Sequence, residues 1–340
     1  MKTIPFFLFF VIVCCAFSTA PAVSQQAYSP PRTDAFGKDS RSGFSAQVRT
    51  GIFYGQSEEI VYWDSQSPDY KSQLLWDIKP LAYAGAGLSF STPTLRNAPG
   101  FSANLSFAAG IPGGTGIMED RDWQNTSDHS ILTNYSAHDN YTLRAFLTDF
   151  ALGVSIPLTR RDQPFAFLTL QGAVSYRYFD WMARDGYYQY EPGNTTKPWD
   201  PSDPQTPVYG DLIGYSQQWL IISPGLTITI PVVSRWLVAV SLNVSPGLIW
   251  AWALDEHLPV YEFQDRPTGG VLLEPRLEIS YAFNARLALT GTASYRYIQG
   301  SRGDSRTRIP SKSVSYPWNA DTAGAGFNAV DAGLALNVFF

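Results

Sequence analysis

From Trp236 to Leu254 the chain changes character at nearly every residue. Trp236, Val238, Val240, Leu242, Val244, Leu248, Trp250, Trp252 and Leu254 are large and apolar, whereas Ala239, Ser241, Asn243, Ser245, Gly247 and Ala251 are small or polar. A period of two is the signature of an extended strand with unlike faces. The same alternation sets Phe146, Phe150, Leu152, Val154 and Ile156 against Ala145, Asp149, Gly153 and Ser155. It recurs where Leu277, Ile279, Tyr281 and Phe283 alternate with Glu274, Arg276, Glu278 and Ser280. Strands of soluble sandwiches usually run about five or six residues, and these run far longer. Long dyad strands with one polar face and Trp and Tyr near their ends predict a transmembrane β-barrel, whose closure pairs every backbone group in lipid.

Ten such segments are predicted, near residues 44–62, 71–90, 101–117, 141–158, 164–181, 214–232, 235–256, 260–283, 285–300 and 326–340. The expected fold is therefore all-β, a ten-stranded antiparallel transmembrane barrel over residues 44–340. An even count returns both ends to the periplasm. The connections sort by length: tight ones at "TRRDQP", "PVVSR" and "FNA", long ones around 119–140, 182–213 and 301–325. Short turns belong to the periplasmic side and long loops to the outside, and "STPTLRNAPG" at 91–100 falls on the periplasmic side by order. The chain ends in "ALNVFF", a strand with a terminal phenylalanine that resembles the signal read by the outer-membrane assembly machinery.

Composition agrees with a membrane neighbourhood. Charged residues make up 16% and aromatics 15%, where soluble domains carry about 25% charge. The start of the chain has Lys2, an apolar run from Ile4 to Phe17 and the small residues of "STAPAVSQ", which is the layout of a secretory signal over residues 1–25. Cleavage is expected between Ala20 and Gln26. Residues 26–43 are polar and turn-rich, a periplasmic tail. Both cysteines, Cys14 and Cys15, lie in the leader, so neither disulfide nor thiol chemistry is expected in the mature chain. Cys14 does not suit a lipoprotein site because Val13 is bulky where a small residue belongs. After residue 30 no run of about 18 apolar residues exists to form a transmembrane helix. The net charge of −5 offers no basic patch for nucleic acid. Three histidines without paired spacing give no zinc motif, and the aspartates of "PGNTTKPWDPSDPQTP" lack the spacing of a calcium loop. No cofactor or metal is expected.

The candidate chemistry lies in two loops that this topology puts at one mouth. "MEDRDW" carries Asp120 and Asp122, and "LDEHLP" carries Asp255 and His257. Residues two apart on an extended segment share a face, so each pair points one way, and Asp255 and His257 continue the lumen-facing series of Ser241, Asn243 and Ser245. A histidine oriented by one carboxylate can act as general base toward a water that a second carboxylate orients and polarises.

Here the sequence resembles the omptin family of outer-membrane endopeptidases along nearly all of the mature chain. The family's "D-x-D-W" is matched by Asp120, Asp122 and Trp123, and its "D-E-H" by Asp255, Glu256 and His257. Its "S-x-H", fourteen residues after the second aspartate, falls on Ser136 and His138, and its "G-x-x-x-E-x-V-Y" on Gly55, Glu59, Val61 and Tyr62. The resemblance implies a catalytic set of Asp120, Asp122, Asp255 and His257. It implies substrate-side roles for Glu59, Ser136 and His138, a peptide or protein substrate, a monomer in the outer membrane, and contact with outer-membrane lipid such as lipopolysaccharide.

The departures bear on specificity. The family pairs the first-loop glutamate with an aspartate two residues before the "D-E-H" aspartate, and that position is Ala253, so a preference for cutting beside Arg or Lys is expected to be shallow. A further acidic specificity position is Asn134. Arg177 is near the register of a lipopolysaccharide contact, but its alternation with Thr169, Gln171 and Ser175 turns it to the lumen. Taken singly, "EDRD" reads as a solvated loop, Asp255 with His257 as a rim ion pair, His129 as an exposed loop residue, and Trp250 and Trp252 as interfacial anchors. Two other functions compete: an inactive barrel serving as adhesin or structural protein, and a lipid-cleaving barrel built on Ser136 and His138.

Overall fold

The computed structural model describes residues 43–340 apart from 93, 95–97, 161–162, 192, 234 and 259. The expected signal over 1–25, the tail up to residue 42 and part of the turn "TRRDQP" lie outside the described residues. What is described is one antiparallel sheet of fifteen strand segments. They are β1 (Gly43–Tyr62), β2 (Tyr70–Ser91), β3 (Gly100–Gly110), β4 (Gly113–Asp122), β5 (Asn134–Arg160), β6 (Gln163–Tyr188), β7 (Thr206–Pro207), β8 (Asp211–Val233), β9 (Trp236–Pro246), β10 (Ile249–His257), β11 (Tyr261–Thr268), β12 (Val271–Asn284), β13 (Leu287–Ile309), β14 (Val314–Ser315) and β15 (Asn319–Phe339).

The expected count of ten is corrected to fifteen, for a local reason at each break. Three expected strands are divided. Pro112, which has no N–H to give to a ladder, separates β3 from β4. Gly247, at φ +85°, separates β9 from β10, and Gly269 and Gly270, at +74° and +81°, separate β11 from β12. Left-handed backbone of this kind costs glycine nothing and other residues about 1 kcal/mol or more. The two-residue strands β7 and β14 are pieces of the long loops. The strands also outrun their expected ends. β5 and β6 stay paired as far as Ser136 opposite Tyr188, so the wall continues into what the sequence assigns to loops.

Pairing runs β1–β2, then β2 with β3 and β4, both with β5, then β5–β6–β8. It continues from β8 to β9 and β10, from these to β12 and β11, and from both to β13, then β15 and back to β1. Each residue step turns a side chain from one face to the other. Val48, Ile52, Leu88, Leu105, Leu152, Leu170, Leu226, Val240 and Leu334 are exposed on the outer face, as an apolar band facing lipid requires.

The inner face is filled. Gly51 and Gly333 are partners across the β1–β15 ladder, and a Cβ at either would meet the Tyr83 hydroxyl, at 2.5 and 2.7 Å. Their bareness admits Tyr83, whose hydroxyl donates to Asp331 at 2.8 Å. Beside it Arg177 pairs with Asp149 at 2.5 Å, Arg296 with Glu274 at 2.6 Å and Arg276 with Glu278 at 2.7 Å. Arg177 is thus a lumen residue, as its alternation predicts. One turn of alternation further along β6, the filling changes from charged to aromatic. Phe327, Phe179, Trp181, Tyr215 and Trp76 form a chain of ring contacts with centroids 5.4, 5.3, 5.8 and 5.0 Å apart, and this chain joins β15, β6, β8 and β2 across the interior. All five are buried.

The arrangement of long and short connections makes a labelling prediction. With cysteines introduced singly at Asp128, Lys312 or Arg286, an impermeant thiol reagent on intact cells should label the first two and not the third, which sits in the tight turn between β12 and β13. Labelling confined to the Arg286 variant would invert the orientation.

Candidate active site

The candidate residues come from four strand ends on one rim of the wall. Asp120 and Asp122 end β4, where Asp120 lies between Leu74 of β2 and Ser136 of β5, and Asp122 between Ser72 and Asn134. Asp255 and His257 end β10, where Asp255 lies between Tyr215 of β8 and Phe263 of β11. Glu59, near the end of β1, lies between Ala325 and Leu74. Ladder partners share a face, so Glu59, Leu74, Asp120 and Ser136 form one row on the inner wall. The β4–β5 ladder shifts register between Gly114 and Gly116, so counting along β4 from its start does not by itself give the face of Asp120.

His257 Nε2 and Asp255 Oδ2 are 2.9 Å apart. A carboxylate oxygen accepts, so Nε2 carries the proton and Nδ1 is left as an acceptor. Asp255 is buried at 3% exposure, whereas the imidazole is part-exposed. Burial by itself would lower the His257 pKa, but the hydrogen bond it donates to Asp255 and the charges of Asp255, Asp120 and Asp122 outweigh it, and the net shift is upward. These contributions also bring the two loop pairs together: Asp120 feels His257 and Asp255 as neighbours. Burial and the adjacent Asp122 push the Asp120 carboxyl well above the usual range, against the opposing pull of His257 and a contact from Ser72. Asp122 is raised by burial, moderated by Ser72, Asn134 and Gln124. Two carboxyls so placed hold a proton between them more readily than both ionise.

Glu59 joins the same cluster. It is 1% exposed, and burial followed by the charges of Asp255, Asp265 and Asp120 holds its pKa well above normal. Ser136 and His138 form a pair of their own. His138 Nδ1 donates to the Asp185 carbonyl at 2.7 Å, which leaves Nε2 to accept from the Ser136 hydroxyl at 2.9 Å. Each is 7% exposed, and burial lowers the His138 pKa, so this imidazole is neutral and fully used. Ser136 is adjacent to Asp120 in the ladder. His129 stacks on Trp63 at 4.2 Å and lies 3.5 Å from Asp69, away from the cluster.

Two residues of the site were missed in the sequence. Ser72 approaches Asp120 at 3.4 Å, and no pattern distinguishes it from other strand serines. Asp265, in β11, is 3% exposed and faces the ladder partner Ala253. In "YEFQDRPTGG" it reads as a loop charge; parity with Ala253, two residues before Asp255, is the signal that would have found it. Among the described residues no group of three or more His, Cys, Asp or Glu side chains is arranged to hold a metal ion.

The fold and its rim of carboxylates around one histidine define a bacterial outer-membrane β-barrel protein with a polar site at one mouth. The chain belongs to the Omptin family, whose family model matches residues 40–338. Among solved structures, the outer membrane protease OmpT from Escherichia coli is similar with a TM-score of 0.73 at 17% identity, over 88% of this chain and 97% of that one. The outer membrane protein OprG from Pseudomonas aeruginosa, at a TM-score of 0.32 and 9% identity over 90% and 99% of the two chains, carries no argument. A search of curated proteins returned no match.

Asp265 makes a stability prediction. Burial, with a contribution from Asp255, pushes its pKa up to about 7 against a contact from Ser305. Below the ordinary carboxylate range both folded and unfolded chains bind the proton and nothing is lost. Between that range and about 7 the unfolded chain releases it first, so stability falls as pH rises through this window. Asp265→Asn should therefore stabilise the protein by about 2–4 kcal/mol at about pH 8 and by little at about pH 4, read by urea titration of tryptophan fluorescence in detergent. Equal stabilities at both pH values would show that Asp265 titrates normally.

Proposed function

We propose that this protein is an outer-membrane endopeptidase that hydrolyses peptide bonds at the outer mouth of its barrel. The three divided strand pairs, β3 with β4, β9 with β10 and β11 with β12, are read as single staves, which gives a closed wall of ten. Membership of the Omptin family supports protease activity, and the observation that carries the mechanism is the 2.9 Å contact between His257 and Asp255 in the field of Asp120 and Asp122.

A water held between Asp120 and His257 is the nucleophile. His257, kept in one tautomer by Asp255, takes a proton from the water at Nδ1 as the water oxygen attacks the peptide carbonyl carbon. Asp120 and Asp122 share a proton, so the pair orients the water through its ionised oxygen and donates a hydrogen bond to the developing oxyanion. Collapse of the tetrahedral intermediate breaks the C–N bond, and the imidazolium returns its proton to the leaving amine. Ser72 and Asn134 hold the aspartates in place. Ser136 and His138, each bound up with the other and with the backbone, support the wall beside Asp120 and do not act as a nucleophile and base. Glu59 contacts substrate.

Two outcomes are expected. In refolded protein supplied with lipopolysaccharide, Asp120→Asn and His257→Gln should each lower kcat/KM for a cleavable peptide by about 10²–10⁴-fold, with chelators and serine- or cysteine-directed reagents having no effect. Loss of cleavage in chelator that zinc restores would sink the water mechanism. The acid limb of the kcat/KM profile should lie above the ordinary imidazole value of 6.5 and move down in Asp255→Asn, because that change removes the hydrogen bond and charge that raise the His257 pKa. A limb unmoved by Asp255→Asn would remove His257 as the base.

A further inference from the structure

The end of β6 carries a phenol to the rim between the two acid pairs. Around the wall, β4 and β10 are separated on one side by β5, β6 and β8, so β6 stands midway between Asp122 and His257. Its pairing continues past its last residue: the Gln189 N–H donates to the Tyr135 carbonyl at 2.8 Å, in the register that sets Ser136 opposite Tyr188. Tyr190 therefore stands opposite Asn134, which is itself opposite Asp122. Ladder partners and residues two apart share a face, so Tyr188 and Tyr190 both point inward, and their rings meet at 4.8 Å.

The backbone that holds Tyr190 is braced from outside. The Gln189 side chain is buried against the third outer loop and donates to the Pro201 and Asp203 carbonyls at 3.2 and 2.7 Å. Trp199 of the same loop packs on Tyr135 at 4.9 Å. Tyr190 itself is 36% exposed, and its hydroxyl has no hydrogen-bond partner among the described residues. Packing on Tyr188 needs only the ring, so the hydroxyl is free to donate elsewhere. Burial and then the charges of Asp120 and Asp122 raise its pKa, which keeps the proton on the oxygen. The row from Asp122 to Tyr190 covers two strand spacings, about 10 Å between backbones, and the length of the phenol brings its hydroxyl well inside that.

We infer that Tyr190 is a further catalytic residue, whose hydroxyl donates a hydrogen bond to the carbonyl oxygen of the bond being cut as that oxygen becomes an oxyanion. The inference rests on the endopeptidase reading above, in which the Asp120–Asp122 pair supplies one donor. A tetrahedral oxyanion accepts more than one hydrogen bond, and a donor already in place acts most strongly in the transition state, where the charge is greatest. Glu59, on β1, occupies the other arc of the rim, so a chain lying across the mouth has Tyr190 on one flank and Glu59 on the other. No proton leaves Tyr190 in this step, and the His257 imidazolium remains the acid for the leaving amine.

The test compares wild type with Tyr190→Phe, which removes one oxygen from a part-exposed ring and keeps its packing on Tyr188. In refolded protein supplied with lipopolysaccharide, kcat for a cleavable peptide should fall about 10²-fold while KM stays within about twofold. The same peptide is then made with sulfur in place of the scissile carbonyl oxygen. Sulfur accepts hydrogen bonds poorly, so the oxygen-over-sulfur ratio of kcat/KM should shrink about tenfold or more in Tyr190→Phe, whereas a loosened wall would slow both peptides alike. In parallel, a phosphinic peptide, whose tetrahedral P–O⁻ stands in for the oxyanion, is titrated against both proteins with tryptophan fluorescence as the readout. It should bind Tyr190→Phe about tenfold or more weakly than wild type, and a reduced-amide peptide without that oxygen should bind both alike. An unchanged kcat, or a fall that spares the oxygen-over-sulfur ratio, overturns the assignment. Absence of all cleavage removes the endopeptidase reading, and the titration then decides Tyr190 alone: equal phosphinate affinity in the two proteins, or binding to neither, overturns it.

Discussion

In hydrocarbon an unpaired peptide N–H or C=O costs several kcal/mol, and no water is present to offset it. That constraint shapes everything else in this molecule. It makes neighbouring strands pair along their length, it imposes a period of two on every stretch that meets lipid, and it turns each polar residue of those stretches inward. The lumen therefore collects Asp149, Arg177, Glu274, Arg276, Glu278 and Arg296, which satisfy one another. Unsatisfied charge is tolerable only where the wall rises clear of the membrane. The carboxylates without a cation, Glu59 and Asp265, are found there.

The rim gathers its acids from strands distant in sequence, and this gives the site its chemistry. Asp120 and Asp122 would be unremarkable loop aspartates if β4 stood alone. Facing Asp255 and His257 across the interior, they shift one another's proton affinity, and burial enlarges each effect. Ladder geometry fixes the spacing: side chains two apart on one strand, or opposite on neighbouring strands, stand about 5–7 Å apart. A site built on such a lattice is held by the backbone of the whole wall.

Much of this was legible from alternation. Trp236 to Leu254 and Phe146 to Ile156 declare their faces directly, and the odd parity of Asp255 and His257 carried over Gly247 unchanged. Where the reading failed, the cause was local. Pro112 and the left-handed glycines 247, 269 and 270 divide strands that hydrophobicity presents as continuous, because alternation records side-chain direction and is blind to backbone hydrogen bonds. Strand ends were set too early, since Asn134 to Asn140 and Trp181 to Tyr188 leave the apolar band while still paired. Asp265 escaped for a related reason. Its burial depends on a neighbour two strands' worth of sequence away, and no local pattern tells an inward aspartate above the membrane from a solvated one.

The aromatic partition of Phe327, Phe179, Trp181, Tyr215 and Trp76 lies directly under this cluster of acids. Rings and indoles polarise weakly, so field lines from the carboxylates find an unfavourable path downward and are expelled through the open mouth into water. The floor thus acts as a reflector. It turns the field of whatever charge the rim carries outward through the mouth, and that field loses its reach as ionic strength shortens the screening length.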